Sequence, residues 1–495
     1  MNPQVVSELL LGLLGLCVGS FLNVVIYRLP AGLALTRPAR SFCPACHAPI
    51  AWFDNLPVLS WLLLRGRCRH CRGPISVQYP LIEALCSMAF VLVYHLLFVI
   101  GTHAPDGPAR LPCDTPLLLA WLTLVAALLA CAAMDIASYT VDVRVTLVAV
   151  AAGLFFHAVW PRPPVLLPVA ATPAGGGLLA AGLVSLAVLV WALRRPDSTA
   201  PNPDLAAPGA SDGRAGPTES AGTRLGGVLG TLAALGLAAW AVAQAGGPPR
   251  AGGTLLDPVA GGGLIVLFLA TVVAGSRRRA ADDEIRRAIE DEQPAARRTA
   301  LRELLSLMPT IVSGVAIWLA VLRVPPAAAV WHDLVHWSPG HGLTPVAGLT
   351  YAVGGALIAA AAGWALRIIF TLVFGREAFG TGDIYILAAA GAAGGWDIAL
   401  LGLLLSVGVA LAGWLLSLLG KSSVMIPFGP WLAVGVLMAL WLRNPAGELF
   451  RRYGDALRLA WHDQPQLIAV AGGLMLVASA GAVALARLVR RFVSP

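Results

Sequence analysis

Lysine is almost missing: Lys421 is the only one in 495 residues, so arginine carries nearly all of the positive charge behind a net +8. Charge of either sign is scarce, with charged residues at 12% against 58% hydrophobic ones. A chain with that balance and with repeated apolar runs of about 17 to 25 residues has no single water-soluble core to close. It reads as an all-α polytopic membrane protein. The arginines gather in a few loops between apolar runs, which suits membrane topology and argues against nucleic acid as a partner. No basic stretch precedes the first run, Val5 to Ile26, and no small-residue cleavage site follows it, so a retained first span is expected in place of a removed signal peptide. A convincing internal repeat is also lacking, which counts against a transporter built from paired half-sites.

The runs themselves place spans near 5–27, 79–101, 116–134, 145–160, 174–193, 226–244, 258–275, 307–324, 346–374, 384–396, 398–419, 428–443 and 466–488. That is about thirteen helices. Between the first two, Arg28, Arg37, Arg40, Arg65, Arg67, Arg69 and Arg72 face one acid, Asp54, so this segment is expected on the cytoplasmic side. Threading on from there puts Asp135, the loops starting at Arg194 and Arg277, and the segment around Asp383 on that same side. The count leaves Arg443, Arg451, Arg452 and Arg458 on the opposite face.

Four cysteines in the first loop form two CxxC pairs, Cys43 with Cys46 and Cys68 with Cys71, each within a turn-like sequence. This is the spacing of a zinc ribbon, a small cytoplasmic insertion between the first two helices. Disulfides are the alternative, and a reducing cytoplasm argues against them. Four thiolates leave no open position for water, so a structural ion is expected. Cys17, Cys86, Cys113 and Cys131 have no paired spacing.

Two acids stand where apolar runs end: Asp135, in MDIASYTVD, and Asp383, in FGTGD. An acid beside about twenty apolar residues is expensive to keep. Gly380 and Gly382 permit irregular backbone and close helix contact where Asp383 must be presented. Two carboxylates in one pocket would share a proton, one acting as base toward water and the other as acid toward a carbonyl. Either acid alone could instead simply end or cap a helix.

These residues carry a resemblance. GSFLNVVIYRLP (Gly19 to Pro30), the double CxxC with WFDNLPVLSWLLLRGRC in it, YPLIE (Tyr79 to Glu83), FGTGD and IPFGP (Ile426 to Pro430) stand in the order seen in bacterial prepilin peptidases. The chain resembles that family over residues 1 to 160 and 346 to 443. The resemblance implies a GxGD-type aspartyl protease of the bacterial inner membrane, with Asp135 and Asp383 as its catalytic pair facing the cytoplasm. Its substrates would be type IV prepilins or type II secretion pseudopilins. Many members also methylate the new amino terminus with S-adenosylmethionine, although no glycine-rich nucleotide loop of the usual sort is visible here. Glu83 and the segment Gly19 to Asn23 are expected in binding or support, or else in helix packing and capping.

The chain departs from the family pattern at three places. Val141 stands where a proline usually precedes the second acid, here Asp142, which is expected to support the site or to end a loop. Tyr385 stands where a lysine is common. The third departure is an insert, and it organises the chain as 1–27 (first helix), 28–78 (cysteine domain), 79–160 (helices carrying Asp135), 161–345 (insert with four extra spans), 346–443 (helices carrying FGTGD and IPFGP) and 444–495 (a C-terminal helix). An even number of inserted spans keeps Asp383 on the side of Asp135. Within the insert, Pro196 to Arg224 has the composition of a flexible linker. Ser276 to Leu305, dense in both charges, is expected as a solvated helix pair broken near Pro294. A catalytically altered member acting in pilus or secretion assembly is the competing reading.

Overall fold

The computed structural model describes residues 3–36, 41–43, 45–102, 108–160, 172–194, 296–336, 345–375, 377, 379–419 and 427–444. Two compact units divide the chain, Met1–Trp441 and Leu442–Pro495; only residues 442–444 of the second are described.

The described residues are overwhelmingly helical. In chain order the helices are α1 (Pro3–Arg28), the short α2 (Leu59–Leu63) in the cysteine domain, and α3 (Gln78–Tyr94), which continues through a π-helical turn to Ile100. Then come α4 (Thr115–Ser138), α5 (Val143–Val159), α6 (Pro173–Arg194), α7 (Ala296–Arg323) and α8 (Pro325–His336). The last are α9 (Pro345–Phe374), α10 (Thr381–Gly394), α11 (Trp396–Leu419) and α12 over residues 429–444.

Six of these are long and apolar enough to cross a membrane: α1, α3 with its π turn, α4, α7, α9 and α11. The apolar helix α5 is shorter, at 17 residues, and α10, at 14 residues, covers only about 21 Å at 1.5 Å per residue. Of the thirteen expected spans, 226–244, 258–275 and 466–488 lie outside the described residues.

Burial orders the helices by depth. In α4, 83% of the spanning window is buried, against 6% in α7. Helix α4 is therefore the central post, its Trp121, Leu124 and Met134 packed with Leu387 and Ala390 of α10 and Leu432 and Leu440 of α12. Helix α7 is peripheral and turns Leu305, Val312 and Leu322 outward, as a lipid-facing helix does.

Small residues set the closest crossings. Gly355 of α9 and Gly391 of α10 press on one another's backbone, and a Cβ on either would strike the partner's carbonyl oxygen. Gly15 and Gly19, four apart on α1, lie against Ser87 and Glu83 of α3. This small-xxx-small spacing lets two backbones approach in lipid, where packing replaces the hydrophobic effect as the force between helices.

The charged segment differs from its expected form. Residues 276–295 lie outside the described residues, but 296–305 are no separate solvated helix: they form the first turns of α7, continuous with its apolar part and running through Pro309. Density of charge suggested solvent, and most of 296–305 is exposed, with Ala296 and Ala300 buried on one face. Helix α8 follows where no element was expected.

Candidate functional site

The cysteine domain is two equivalent turns. In the first, Cys43 N–H donates to the Ala48 carbonyl and His47 N–H to the Cys43 carbonyl; in the second, Cys68 N–H donates to Gly73 and Arg72 N–H to Cys68. His47 and Arg72, each four residues after the leading cysteine, both take left-handed backbone, at φ 56° and 58°. The four Sγ atoms consequently converge within 4.8 Å of one another, with Cys43 and Cys71 at 3.9 Å. A tetrahedral ion with Zn–S bonds of about 2.3 Å needs sulfurs roughly 3.8 Å apart, so the donor set fits zinc. Main-chain donation from Cys71 and His70 pulls the Cys68 thiol down to about 6, whereas Cys46, although its thiol meets the Ala48 main chain, is pushed up to about 11 by burial and the other three sulfurs. Asp54 and Arg69, paired through two bonds of 2.6 and 2.7 Å, tie the turn at Trp52–Asn55 to the second cysteine pair. Arg69 holds Asp54 below the usual carboxylate range.

This domain is anchored to the helices through Glu83. On α3, Glu83 is buried and accepts the Val58 N–H at 2.7 Å. Val58 sits at φ 58°, ψ −48°, bridged by a bond from Leu59 N–H to the Pro57 carbonyl. This is a γ-turn of the rarer, strained hand, and a β-branched residue there is an outlier. Asn23 of α1 donates to the Tyr79 carbonyl at 3.1 Å. The GSFLN and YPLIE segments thus meet, with Gly19 under Glu83. Beside them lies a cavity of about 390 Å³, lined among others by Tyr27, Asp54, Trp61, Tyr79 and Glu83.

The two aspartates come together at helix ends. Asp135 occupies the last turn of α4, which Tyr139 closes in left-handed backbone with its N–H on the Asp135 carbonyl. Asp383 occupies the first turn of α10, third residue after the N-cap Gly380, and its carboxylate lies over that glycine, 3.1 Å from where a Cβ would sit. A glycine at that N-cap leaves room for the acid of FGTGD. Gly429, the first residue of α12, donates its N–H to Asp135 Oδ2 at 3.0 Å. Both aspartates are 7% exposed and lie within electrostatic reach of one another. The motifs also touch directly, for the Phe379 ring of FGTGD meets the Phe428 ring of IPFGP edge to face, 5.6 Å between centroids.

The supporting positions resolve individually. Gly382 lies against Val141, where a Cβ would sit 2.8 Å from the Val141 Cβ; the residue that departs from the family pattern is in contact with the FGTGD turn. Asp142 is the N-cap of α5, accepting the Arg144 N–H at 2.8 Å and pairing with its guanidinium at 2.6 Å. That pairing holds Asp142 below the ordinary range. Tyr385 is half-buried in α10.

Sequence reasoning named IPFGP but gave Gly429 no role, and it passed over Arg367, a lone cation in the apolar run of α9. An ionisable residue inside such a run was the available signal.

Parts of the chain are similar to known proteins. The family described as the Bacterial Peptidase A24 N-terminal domain matches residues 13–97. A prepilin leader peptidase/N-methyltransferase of Klebsiella pneumoniae is 40% identical over 186 residues, 36% of this chain and 72% of that protein. One of Dickeya chrysanthemi is 34% identical over 204 residues, 37% of this chain and 64% of its own length. One of Myxococcus xanthus is 60% identical over 77 residues, 16% of this chain and 23% of its own length. The chain thus spans between about a quarter and three quarters of the curated relatives it matches. No solved structure matches. With close to three quarters of one relative covered at 40% identity, and the N-terminal model in agreement, the chain belongs to the bacterial prepilin leader peptidase/N-methyltransferase family.

Proposed function

We propose that the chain is a membrane aspartyl endopeptidase that removes the leader peptide from type IV prepilins or type II secretion pseudopilins. The observation that carries this is the meeting of Asp135 and Asp383: two buried acids from helices far apart in sequence, Asp135 fixed by the Gly429 N–H and Asp383 packed over Gly380. In this reading the two acids share one proton. The ionised one takes a proton from water as its oxygen adds to the scissile carbonyl carbon, and the protonated one gives its proton to the carbonyl oxygen. Collapse of the tetrahedral intermediate breaks the C–N bond as a proton passes to the leaving amine. The Phe379–Phe428 contact helps to hold the two presenting turns in register. Arginine-rich flanks of α1 and the cysteine domain support a cytoplasmic orientation in the bacterial inner membrane.

The relatives' shared name adds methylation of the new amino terminus. S-adenosylmethionine would supply the methyl group to that amine. The cavity beside Glu83 has the volume of a small-molecule site, and its rings, Tyr27, Trp61 and Tyr79, suit a sulfonium cation. Incubating the purified protein with a leader-bearing prepilin and weighing the products reads both activities. Leader loss without the methyl donor, and a methylated mature amino terminus only with it, are expected; an intact prepilin would leave the assembly-factor reading in its place.

The four cysteines hold one structural zinc ion in this account. Metal analysis of the purified protein should give about one zinc per chain, and replacing Cys43 and Cys71 together by serine should remove it. A metal-free preparation with all four thiols intact would end that assignment.

A further inference from the structure

Arg367 lies in the last two turns of α9, and its side chain is only 6% exposed. Its guanidinium uses nearly every donor. Nε and Nη2 form a fork on Glu303 at 3.0 and 2.9 Å, Nη2 also reaches Glu377 at 2.8 Å, and Nη1 donates to the Phe379 carbonyl at 2.7 Å. Phe379 is the first residue of FGTGD and directly precedes the N-cap of the helix that presents Asp383. One turn earlier on α9, Gly363 packs against the Phe379 ring, Ile384 and Leu387. The end of α9 is therefore moulded to the start of α10, and Arg367 is the polar tie between them.

Glu303, which takes two of the four contacts, belongs to α7, the peripheral helix of the segment set apart as an insert. The same face of α7 carries Ala296 and Ala300, both buried, and Arg297 lies over Gly375 at the turn leaving α9. Buried guanidinium charge needs opposing charge with good geometry, and a planar fork fixes direction in a way a single ammonium cannot.

We propose that Arg367 is a positioning residue for Asp383 and that Glu303 orients it, so that the inserted segment is a working part of the peptidase site. The inference rests on the peptidase reading and adds a residue pair to it. The chain of contacts runs from Glu303 to Arg367, to the Phe379 carbonyl, to the Gly380 N-cap and so to the Asp383 carboxyl. Small displacements of a reacting group cost rate more than they cost binding.

The test is steady-state prepilin cleavage by the full-length membrane protein carrying Glu303→Ala, Glu303→Gln or Arg367→Lys, with Asp383→Asn as reference. Glu303→Ala should lower kcat about 10- to 100-fold with KM held within about twofold. Glu303→Gln, which keeps length and one acceptor, should fall between it and the unaltered protein. Arg367→Lys, which keeps the charge and loses the fork, should resemble Glu303→Ala. Glu377 still opposes Arg367 in the Glu303 variants, so folded protein is expected, and a thermal melt measures it. Unaltered kcat in Glu303→Ala and Arg367→Lys beside an inactive Asp383→Asn overturns the inference and leaves the peptidase reading standing. So does a loss that vanishes once rates are divided by the folded fraction. An active Asp383→Asn overturns the peptidase reading itself.

Discussion

Asp135→Asn and Asp383→Asn should each lower prepilin cleavage by about a thousandfold or more, and the double variant should be no worse than either single one. The size follows from the division of labour in a two-carboxyl site. Asparagine keeps the shape of each side chain and its acceptor oxygen, so the bond from Gly429 to residue 135 survives and the fold should hold. What is lost is the shared proton. With one member gone, water activation and carbonyl protonation can no longer be coordinated, so removing the second member costs little more. Cleavage rates of purified variants, normalised to folded protein, measure the effect. Additive losses from the two substitutions would mean that the carboxyls act separately, and undiminished cleavage in both single variants would rule out aspartyl chemistry.

The second large effect is expected at a residue with no side chain at all. A Cβ on Gly429 would lie 2.5 Å from Asp135 Oδ2, well inside contact distance, and the same residue's N–H supplies the 3.0 Å bond that fixes that oxygen. Gly429→Ala leaves the helical backbone of α12 undisturbed, because alanine is a good helix former. The carboxyl must therefore be the group that moves. A fall in kcat of about 100-fold, with a melting temperature close to that of the unaltered protein, is the expected result. Activity within about twofold of the unaltered protein would show that Asp135 does not act from the position described here.

How much of this could be read from the sequence differs from residue to residue. Asp135 and Asp383 stood out because an acid at the end of an apolar run must be justified locally, and local cost is legible. The cysteine pairs were legible for the same reason, since two CxxC spacings specify their own geometry. Asp142 was poised between a supporting role and a loop end, and the structure makes it an N-cap bound to Arg144 two residues on. Contacts between distant segments were not legible. Glu83 receives the Val58 N–H across 25 positions, Asp135 receives the Gly429 N–H across 294, and Arg367 meets Glu303 across 64. Composition told part of the story once. Residues 296–305 are dense in charge and most are exposed, as expected, while Ala296 and Ala300 face inward and Glu303 turns to a buried arginine. Period and charge describe a helix face, but what that face meets is decided by packing.

Val141 shows the two kinds of information meeting. From the sequence it was only a departure from a family pattern. In the structure it is the residue on which Gly382 closes, so the change falls against the turn that presents Asp383.

The central claim is that Asp135 and Asp383 open onto one site, and cross-linking tests it most directly. In a chain whose Cys17, Cys86, Cys113 and Cys131 are replaced by serine or alanine, Asp135→Cys with Asp383→Cys should be joined by a thiol reagent spanning about 6 Å. A parallel pair, Phe379→Cys with Phe428→Cys, serves as the control because those rings are in contact. Peptide mapping by mass spectrometry should find both links in high yield. A linked control pair beside an unlinked 135–383 pair would contradict the account.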